Sequence, residues 1–498
     1  MTDVNAQGSG SPHPSHLVLT VAEARLIVFG VLIAMMMAAL DQTIVSTALS
    51  TIGRELGNST QLTWVVTAYL LSATVVTPIY GKLSDLYGRR VTLLVAVSVF
   101  IVGSAACALA PSMIVLIIAR TFQGLGGGGL ISLSQTIIGD IIPPKERAKY
   151  QAYISGVFVA ASVAGPLLGG FIAEHLHWSI IFWINPPIGI IALGLIYSLL
   201  RKLPVSHKHH RIDFAGVGLL IVGTTALMLA LNWGGIHYPW KSNQILVLFA
   251  VFAIFATLFF LRQGRAPEPL VPFEVLDNRV MITATLACAL CMGSAIGLTI
   301  FTPIYFETVF QLTPSRSGVA LLPLMVGTAI GAAIAGRLVK ITHYKRVPIA
   351  GLIVATAAMI ILSYAPAALP LAVIEVLFGL TSIGFGTILP VTTVCVQNAA
   401  PPGQLGTATA VMVFVRSLVG AVAVAIFGAI LFAQLHGSGP PQLIDSGAFI
   451  NSHADFAAIY RWIFATAGLG FLMALFGILA MPELPLKDHV ASEEAVAA

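Results

Sequence analysis

Residues Leu26 to Leu49 read LIVFGVLIAMMMAALDQTIVSTAL, an apolar stretch with a single charge, Asp41. As a helix rising about 1.5 Å per residue, it is long enough to cross the roughly 30 Å hydrocarbon core of a bilayer. An ionised carboxylate at mid-bilayer costs about 2.5–3.5 kcal/mol on translocon scales, so such a residue is expected to face a partner or a cavity. Asp41 therefore belongs to a membrane span and is the first pointer to function.

Further apolar stretches follow at 62–80, 91–110, 113–137, 151–173, 179–200, 214–233, 245–261, 281–306, 318–336, 347–365, 369–392, 405–433 and 460–481. With 57% hydrophobic and 9% charged residues among 498, the chain lies far from the composition of soluble domains. The expectation is an all-α membrane protein with fourteen transmembrane helices. An even number puts both termini on one side. Of the 25 Lys and Arg residues, nineteen then fall on the side of the N-terminus, among them Arg25, Lys82, Lys145, Arg201, Arg262, Arg279, Arg337, Arg346 and Lys487. Only Arg54, Lys241, Arg316 and Arg461 fall on the other side, and Arg120 and Arg416 lie inside spans. Positive residues stay in the cytoplasm, so both termini are expected there, with the protein in the cell inner (plasma) membrane. The net charge of +5 reflects topology; it implies membrane lipid around the protein and no nucleic-acid partner.

Six spans in 26–201 and six in 278–482 flank a central segment, 202–277, that holds two. The remainders, 1–25 and 483–498, read as cytoplasmic tails, and residues 1–22 lack the apolar core of a signal peptide. The first span is then an uncleaved anchor. Cys107, Cys288, Cys291 and Cys395 lie in or beside apolar spans, and Cys288-x-x-Cys291 has no second pair or His near it, so small packing residues are expected rather than a metal site. His207, His209 and His210 with Lys208 read as a solvated loop.

Between spans two and three runs Gly81-Lys82-Leu83-Ser84-Asp85-Leu86-Tyr87-Gly88-Arg89-Arg90. The positive-inside rule accounts for its cations but not for Asp85 or the glycines. Gly81 and Gly88 suit a tight turn; Asp85 near the start of span three favours that helix's N-terminus and pairs with Arg89. The functional reading is a charged latch at the cytoplasmic rim. Arg120, in Arg120-Thr-Phe-Gln123-Gly124 of span four, is always protonated and so needs a carboxylate, carbonyls or water. The glycine run Gly126–Gly129 weakens its helix by up to about 1 kcal/mol per residue and marks a contact or a flexible point.

Span five carries small residues at Ala161, Gly165, Gly169 and Ala173, with Pro166 and Gly170 beside them. A stripe of this kind lets another helix approach closely, and Pro166 removes a backbone bond and kinks the helix. Span ten repeats the device at Gly327, Gly331 and Ala335, so these two helices are expected to meet across pseudo-symmetric halves.

Leu40-Asp41-Gln42-Thr43-Ile44-Val45, Trp64 to Leu70, Gly81 to Arg90, Arg120-x-x-Gln123-Gly124-x-Gly126, Gly165-Pro166-x-x-Gly169-Gly170 and Trp178 to Gly189 together cover most of the first half. In these stretches the chain resembles the major facilitator superfamily, and within it the fourteen-helix branch of drug/proton antiporters that export quaternary ammonium compounds and other drugs. Ser46, Ser50 and Ala161 depart from the residues usual there, and Gly336 to Lys340 lacks the aspartate of the first-half loop. The resemblance implies two six-helix bundles plus two central helices, cycling by alternating access. The Gly165-Pro166 element implies export.

The expected function is proton-coupled export of amphipathic, preferably cationic, drugs or toxic compounds, a source of antibiotic resistance. Asp41 would carry the proton and Arg120 tune or relay it. Gly81, Asp85, Gly88, Arg89, Arg90, Gly165, Pro166, Gly169 and Gly170 would serve the conformational change. Tyr69, Gln123, Phe158, Phe301, Tyr305 and Phe385 are candidates to line the substrate cavity, and Glu375, the acid inside a second-half span, could favour cations there. The energy source is the proton gradient, with no cofactor or metal; partners are protons, small amphipathic substrates and lipid, with room for a periplasmic adaptor. The alternatives are export of one endogenous lipid, siderophore or sugar, and a non-transporting receptor, which leaves Asp41 and Arg120 unexplained. No H-E-x-x-H, G-x-S-x-G or phosphate-binding Gly-Lys-Ser/Thr motif occurs, so an enzyme is not expected.

Overall fold

The computed structural model describes residues 21–57, 61–200, 212–338, 343–364, 366–433 and 456–485. The tail segments 1–20 and 486–498 and the loop residues His207, Lys208, His209 and His210 lie outside them. Among the described residues, fourteen helices are long and apolar enough to cross a membrane, one for each apolar stretch. They are α1 (Val21–Leu56), α2 (Leu62–Tyr87), α3 (Arg89–Ala108), α4 (Met113–Ile141) and α5 (Pro144–His175). Next come α6 (Ile180–Leu199), α7 (Phe214–Trp233), α8 (Asn243–Gln263), α9 (Arg279–Val309) and α10 (Arg316–Leu338). The last four are α11 (Arg346–Tyr364), α12 (Leu371–Ala399), α13 (Leu405–Ala433) and α14 (Phe456–Ala480). Most run a turn or two past their apolar stretch, because polar ends such as Lys82–Tyr87 of α2 and Pro144–Tyr150 of α5 continue the same helix.

In the first bundle α2 and α3 pack on α4, α1 on α5, and α6 on α1 and α3. The second bundle repeats this pairing: α10 and α11 pack on α12, α9 on α13, and α14 on α9 and α11. The two six-helix units are thus pseudo-equivalent, each closed over its own apolar core. Helices α7 and α8 form a hairpin outside them, held by Asp213 to Arg262 (3.1 Å) at one end. At the other end Trp233 meets Trp64 of α2 edge-on (5.8 Å). Many large apolar side chains, such as Phe29, Leu167, Ile190 and Phe476, are exposed on the outside, as helices facing lipid tails require. We call the end of the molecule that carries Gly81–Arg90 the basic end.

Glycines set the fit of α4. A Cβ at Gly124 or Gly128 would collide with the α2 backbone at Tyr69 and Ala73, and one at Gly126 with α3 at Ala96 and Phe100. The run Gly126–Gly129 is therefore a contact surface rather than a flexible point. The small-residue stripes act within their own bundles: Gly165 and Gly169 abut Thr43, Ile44 and Thr47 of α1, and Gly327 and Gly331 abut Gly379, Ser382 and Ile383 of α12. Helices α5 and α10 nevertheless meet across the bundles as expected, and Gly336 there faces Ala148 and Lys149.

Candidate functional site

Asp41 sits on α1 with its side chain fully buried, and two other helices bring three donors to it. Arg120 Nη1 of α4 donates to Oδ2 at 2.6 Å; Gln123 Nε2 of α4 and Asn185 Nδ2 of α6 donate to Oδ1 at 2.9 and 3.0 Å. Each donor is held in turn. Arg120 Nε donates to the Val65 carbonyl (3.0 Å) and its Nη1 to Gln123 Oε1 (2.7 Å). The guanidinium lies over the Tyr69 ring, 4.2 Å from its centroid, with Phe182 at 5.7 Å. Asn185 also donates to Ser104 Oγ, which donates to the Phe182 carbonyl (2.8 Å). A Cβ at Gly103 would strike the Gln123 backbone, so that glycine makes room for the cluster.

A buried charge persists only when paired and hydrogen-bonded. The cluster meets this by neutralising Asp41 with Arg120 and occupying three of its roughly four lone-pair sites with N–H donors. Such a set fits an ionised carboxylate. A proton on Oδ2, which accepts from Arg120 alone, would cancel the charge that balances the guanidinium and leave Arg120 a buried cation without its counter-ion.

The second polar centre lies at the basic end and joins the bundles. Asp85 Oδ1 accepts from the Gly406 amide (2.9 Å), and Oδ2 accepts from the amide and hydroxyl of Thr407 (2.7 and 2.6 Å). Gly406 and Thr407 open α13, where free N–H groups and the positive end of the helix dipole favour an anion. Asp85 thus caps a helix of the other bundle, not α3 as its position in sequence suggested. Arg89 holds it in place, donating to Asp85 and Ser84 and, through Nε, to Asp140 of α4 at 2.7 Å. Gly88 has φ 87° and makes the α2–α3 turn. Gly81, by contrast, lies inside α2, where a Cβ would collide with Ala410 and the Gly406 carbonyl; it permits close approach to α13, not a turn. Arg90 turns away and stacks on Tyr197 of α6, 4.6 Å from the centroid. Nearby, Gln397 of α12 donates to the Gln135 carbonyl of α4 (3.0 Å).

Pro166 leaves the helix α5 continuous, and Thr43 Oγ1 of α1 donates to the Ala161 carbonyl (2.8 Å) one turn before it. A Cβ at Gly170 would meet nothing within 4 Å. Of the residues expected to line a cavity, Tyr69 and Gln123 belong instead to the Asp41 cluster. Phe301, Tyr305 and Phe385 are buried in the second bundle's core. There Tyr305 donates to the Pro366 carbonyl, and Phe385 stacks on Phe471 at 5.7 Å. Phe158 is half-buried beside α1. Glu375 is half-buried near the start of α12 and has no ion pair or hydrogen bond among the described residues.

Asn185, Ser104 and Gly103 were not singled out for the site by sequence reasoning; an Asn and a Ser inside apolar spans were the available signal. Arg416 of α13 is also distinctive. It is half-buried and has no hydrogen bond or ion pair among the described residues.

The description of the Major Facilitator Superfamily matches residues 31–424. The chain is 35% identical over 409 residues to "Multidrug resistance protein 3" of Bacillus subtilis, covering 82% of this chain and 80% of that protein. It is 33% identical over 468 residues to "Multidrug transporter protein MdtP" of the same organism, covering 93% and 86%. Its fold is similar to that of a bacterial homologue of the iron transporter ferroportin in an outward-facing state, with a TM-score of 0.61 at 14% identity over 92% of this chain and 98% of that one.

Proposed function

The chain belongs to the major facilitator superfamily, and on that premise we propose that it exports amphipathic compounds across the plasma membrane in exchange for protons. It is a multi-pass transporter rather than an enzyme. The reading rests on Asp41, a carboxylate buried inside the first bundle and caged by Arg120, Gln123 and Asn185. A proton arriving there removes the charge that balances Arg120, and the cost of the unpaired guanidinium is what links its binding to helix movement. The names of the relatives, multidrug resistance protein and multidrug transporter, support drugs as the substrate class. Glu375 is the group we assign to cationic substrates.

We take the basic end to be cytoplasmic, following the excess of Lys and Arg there. With Asp85 seated on α13, the bundles are joined at that end, and alternating access requires this latch to open. The Gly165 contact with Thr43 ties α5 to the helix that carries Asp41 and gives the proton site a path to the bundle interface.

The test is Asp41→Asn, which keeps the shape and loses the exchangeable proton. In proteoliposomes under an imposed pH difference, efflux of a drug the wild type exports should fall to the background of protein-free vesicles, while binding of that drug persists. Undiminished pH-driven efflux by the variant would remove Asp41 from the coupling role.

A further inference from the structure

We propose that a layer of buried, unpartnered amides and a hydroxyl in the basic-end seam penalises the closed gate and so opposes the Asp85 latch. The proposal rests on the alternating-access reading above but not on proton coupling. Gln135 of α4 and Gln397 of α12 meet across the bundles: a Cβ at Gly139, one turn from Gln135, would lie 2.9–3.0 Å from the Gln397 amide. Gln397 Nε2 donates to the Gln135 backbone carbonyl (3.0 Å), not to its side chain. Among the described residues Gln135 Nε2 and Oε1 and Gln397 Oε1 are thereby left without a partner. One turn from Gln397, on the same face of α12, the Thr393 hydroxyl has no partner there either. Gln151 stands on α5, which packs on this half of α12, and both polar atoms of its amide are likewise unpartnered. Gln135, Gln151 and Thr393 are fully buried and Gln397 nearly so.

Leaving a buried donor or acceptor unmade costs its full desolvation, which exceeds what a typical hydrogen bond contributes. Folded proteins satisfy nearly all such groups. Four side chains that break this rule on facing sides of one seam raise the free energy of the state in which that seam is shut. Apolar side chains of the same shape would fill it without that cost. Once the bundles part at this end, the same groups reach water and the cost is lifted. The closed gate thus holds two opposed devices. Asp85, seated on the N-terminus of α13, favours closure. The amide layer works against it and keeps the closed state from becoming a trap, so that the gate opens on a modest input of free energy.

The test is single-molecule energy transfer between dyes at Lys82 and Pro402, on opposite sides of the seam, with purified protein in nanodiscs and neither gradient nor cargo. Thr393→Val keeps the shape and removes the unpartnered hydroxyl; Gln135→Leu removes the unpartnered amide. Each should raise the closed-to-open ratio at least fivefold. Thr392→Val is the control, because its hydroxyl is bonded to the Ile388 carbonyl within α12 (2.7 Å), and it should leave the ratio near that of wild type. An unchanged or lowered ratio in Thr393→Val, or in a monodisperse Gln135→Leu, would overturn the proposal; if Gln135→Leu fails to fold, Thr393→Val decides. An equal rise in Thr392→Val would trace the effect to apolar surface alone and overturn it too. Asp85 and Asp41 are intact in every variant, so failure of the latch or of proton coupling is read separately. A wild type that never visits the longer distance would instead refute alternating access at this end.

Discussion

Removing the Asp85 carboxylate should unlatch the basic end. In the described structure Asp85 accepts two amide bonds and one hydroxyl bond from Gly406 and Thr407 across the bundle interface. A hydrogen bond to a charged group contributes about 1.5–3 kcal/mol, and a carboxylate at a helix N-terminus adds about 0.3–1 kcal/mol. These terms overlap, and water replaces part of them once the interface opens. A net loss of about 2–4 kcal/mol from the closed state is therefore expected for Asp85→Ala, shifting the closed-to-open ratio roughly 30- to 1,000-fold. Asp85→Asn keeps one acceptor oxygen and should fall between Ala and wild type. Spin labels at Lys82 and Pro402, on opposite sides of the latch, would read the shift by double electron–electron resonance as a new, longer distance population. Arg89→Gln should move it the same way but less, since Arg89 positions Asp85 without crossing the interface. An unchanged distance distribution in Asp85→Ala would refute the latch reading, because among the described residues these three bonds are what joins Asp85 to the second bundle.

Gly406→Val should open the same end without any change of charge, since a Cβ there would lie 2.4–2.7 Å from Ser84, Arg89 and Asp85; the same spin-label pair reports it. Gly165→Ala, with a Cβ 2.0 Å from Thr43 Oγ1, should lower the melting temperature and slow export. Gly170→Ala should raise the melting temperature slightly, by the helix propensity of about 1 kcal/mol or less, and leave export unchanged; equal effects at the two positions would dissolve the packing argument. Asn185→Ala should reduce the maximal rate of pH-driven efflux about tenfold by loosening the Asp41 cage, as single-turnover efflux would show. Glu375→Gln should impair export of cationic but not neutral drugs, and identical effects on both would remove it from cation recognition.

The spans were legible because a membrane helix is written in one contiguous run of apolar residues, and each of the fourteen stretches became one helix. Asp41 and Arg120 stood out for the same reason: a charge inside such a run is costly enough to need a purpose. Their pairing was not legible, since it joins residues 79 positions apart. Asn185, 144 positions from Asp41, completes the cage with no local mark beyond being polar in an apolar span. The loop Gly81–Arg90 announced a charged latch but not its partner. Local rules assign Asp85 to the helix that follows it, whereas the tertiary fold gives it the N-terminus of α13, whose Gly406 leaves room for the approach. The meeting of α5 and α10 across the bundles was legible, but not that Gly165, Gly169, Gly327 and Gly331 fit against α1 and α12 of their own bundles, because small-residue spacing encodes closeness of approach without encoding the identity of the facing helix.

The Asp41–Arg120 pair is neutral as it stands, so under the proposed exchange the charge moved in each cycle is set by the cargo and the proton. Exchange of one monovalent cation for one proton moves no net charge and draws on the pH difference alone. Exchange of one neutral molecule for a proton moves one charge, and exchange of one monoanion for a proton moves the equivalent of two. At about 2.3 kcal/mol per charge per 100 mV, that last exchange gains roughly 4.6 kcal/mol from the potential. An acidic amphipath would then be the most strongly driven cargo of the three, and its export should respond most steeply to a potassium diffusion potential imposed at constant pH difference. If cationic, neutral and acidic substrates respond alike to that potential, exchange of one substrate for one proton is refuted.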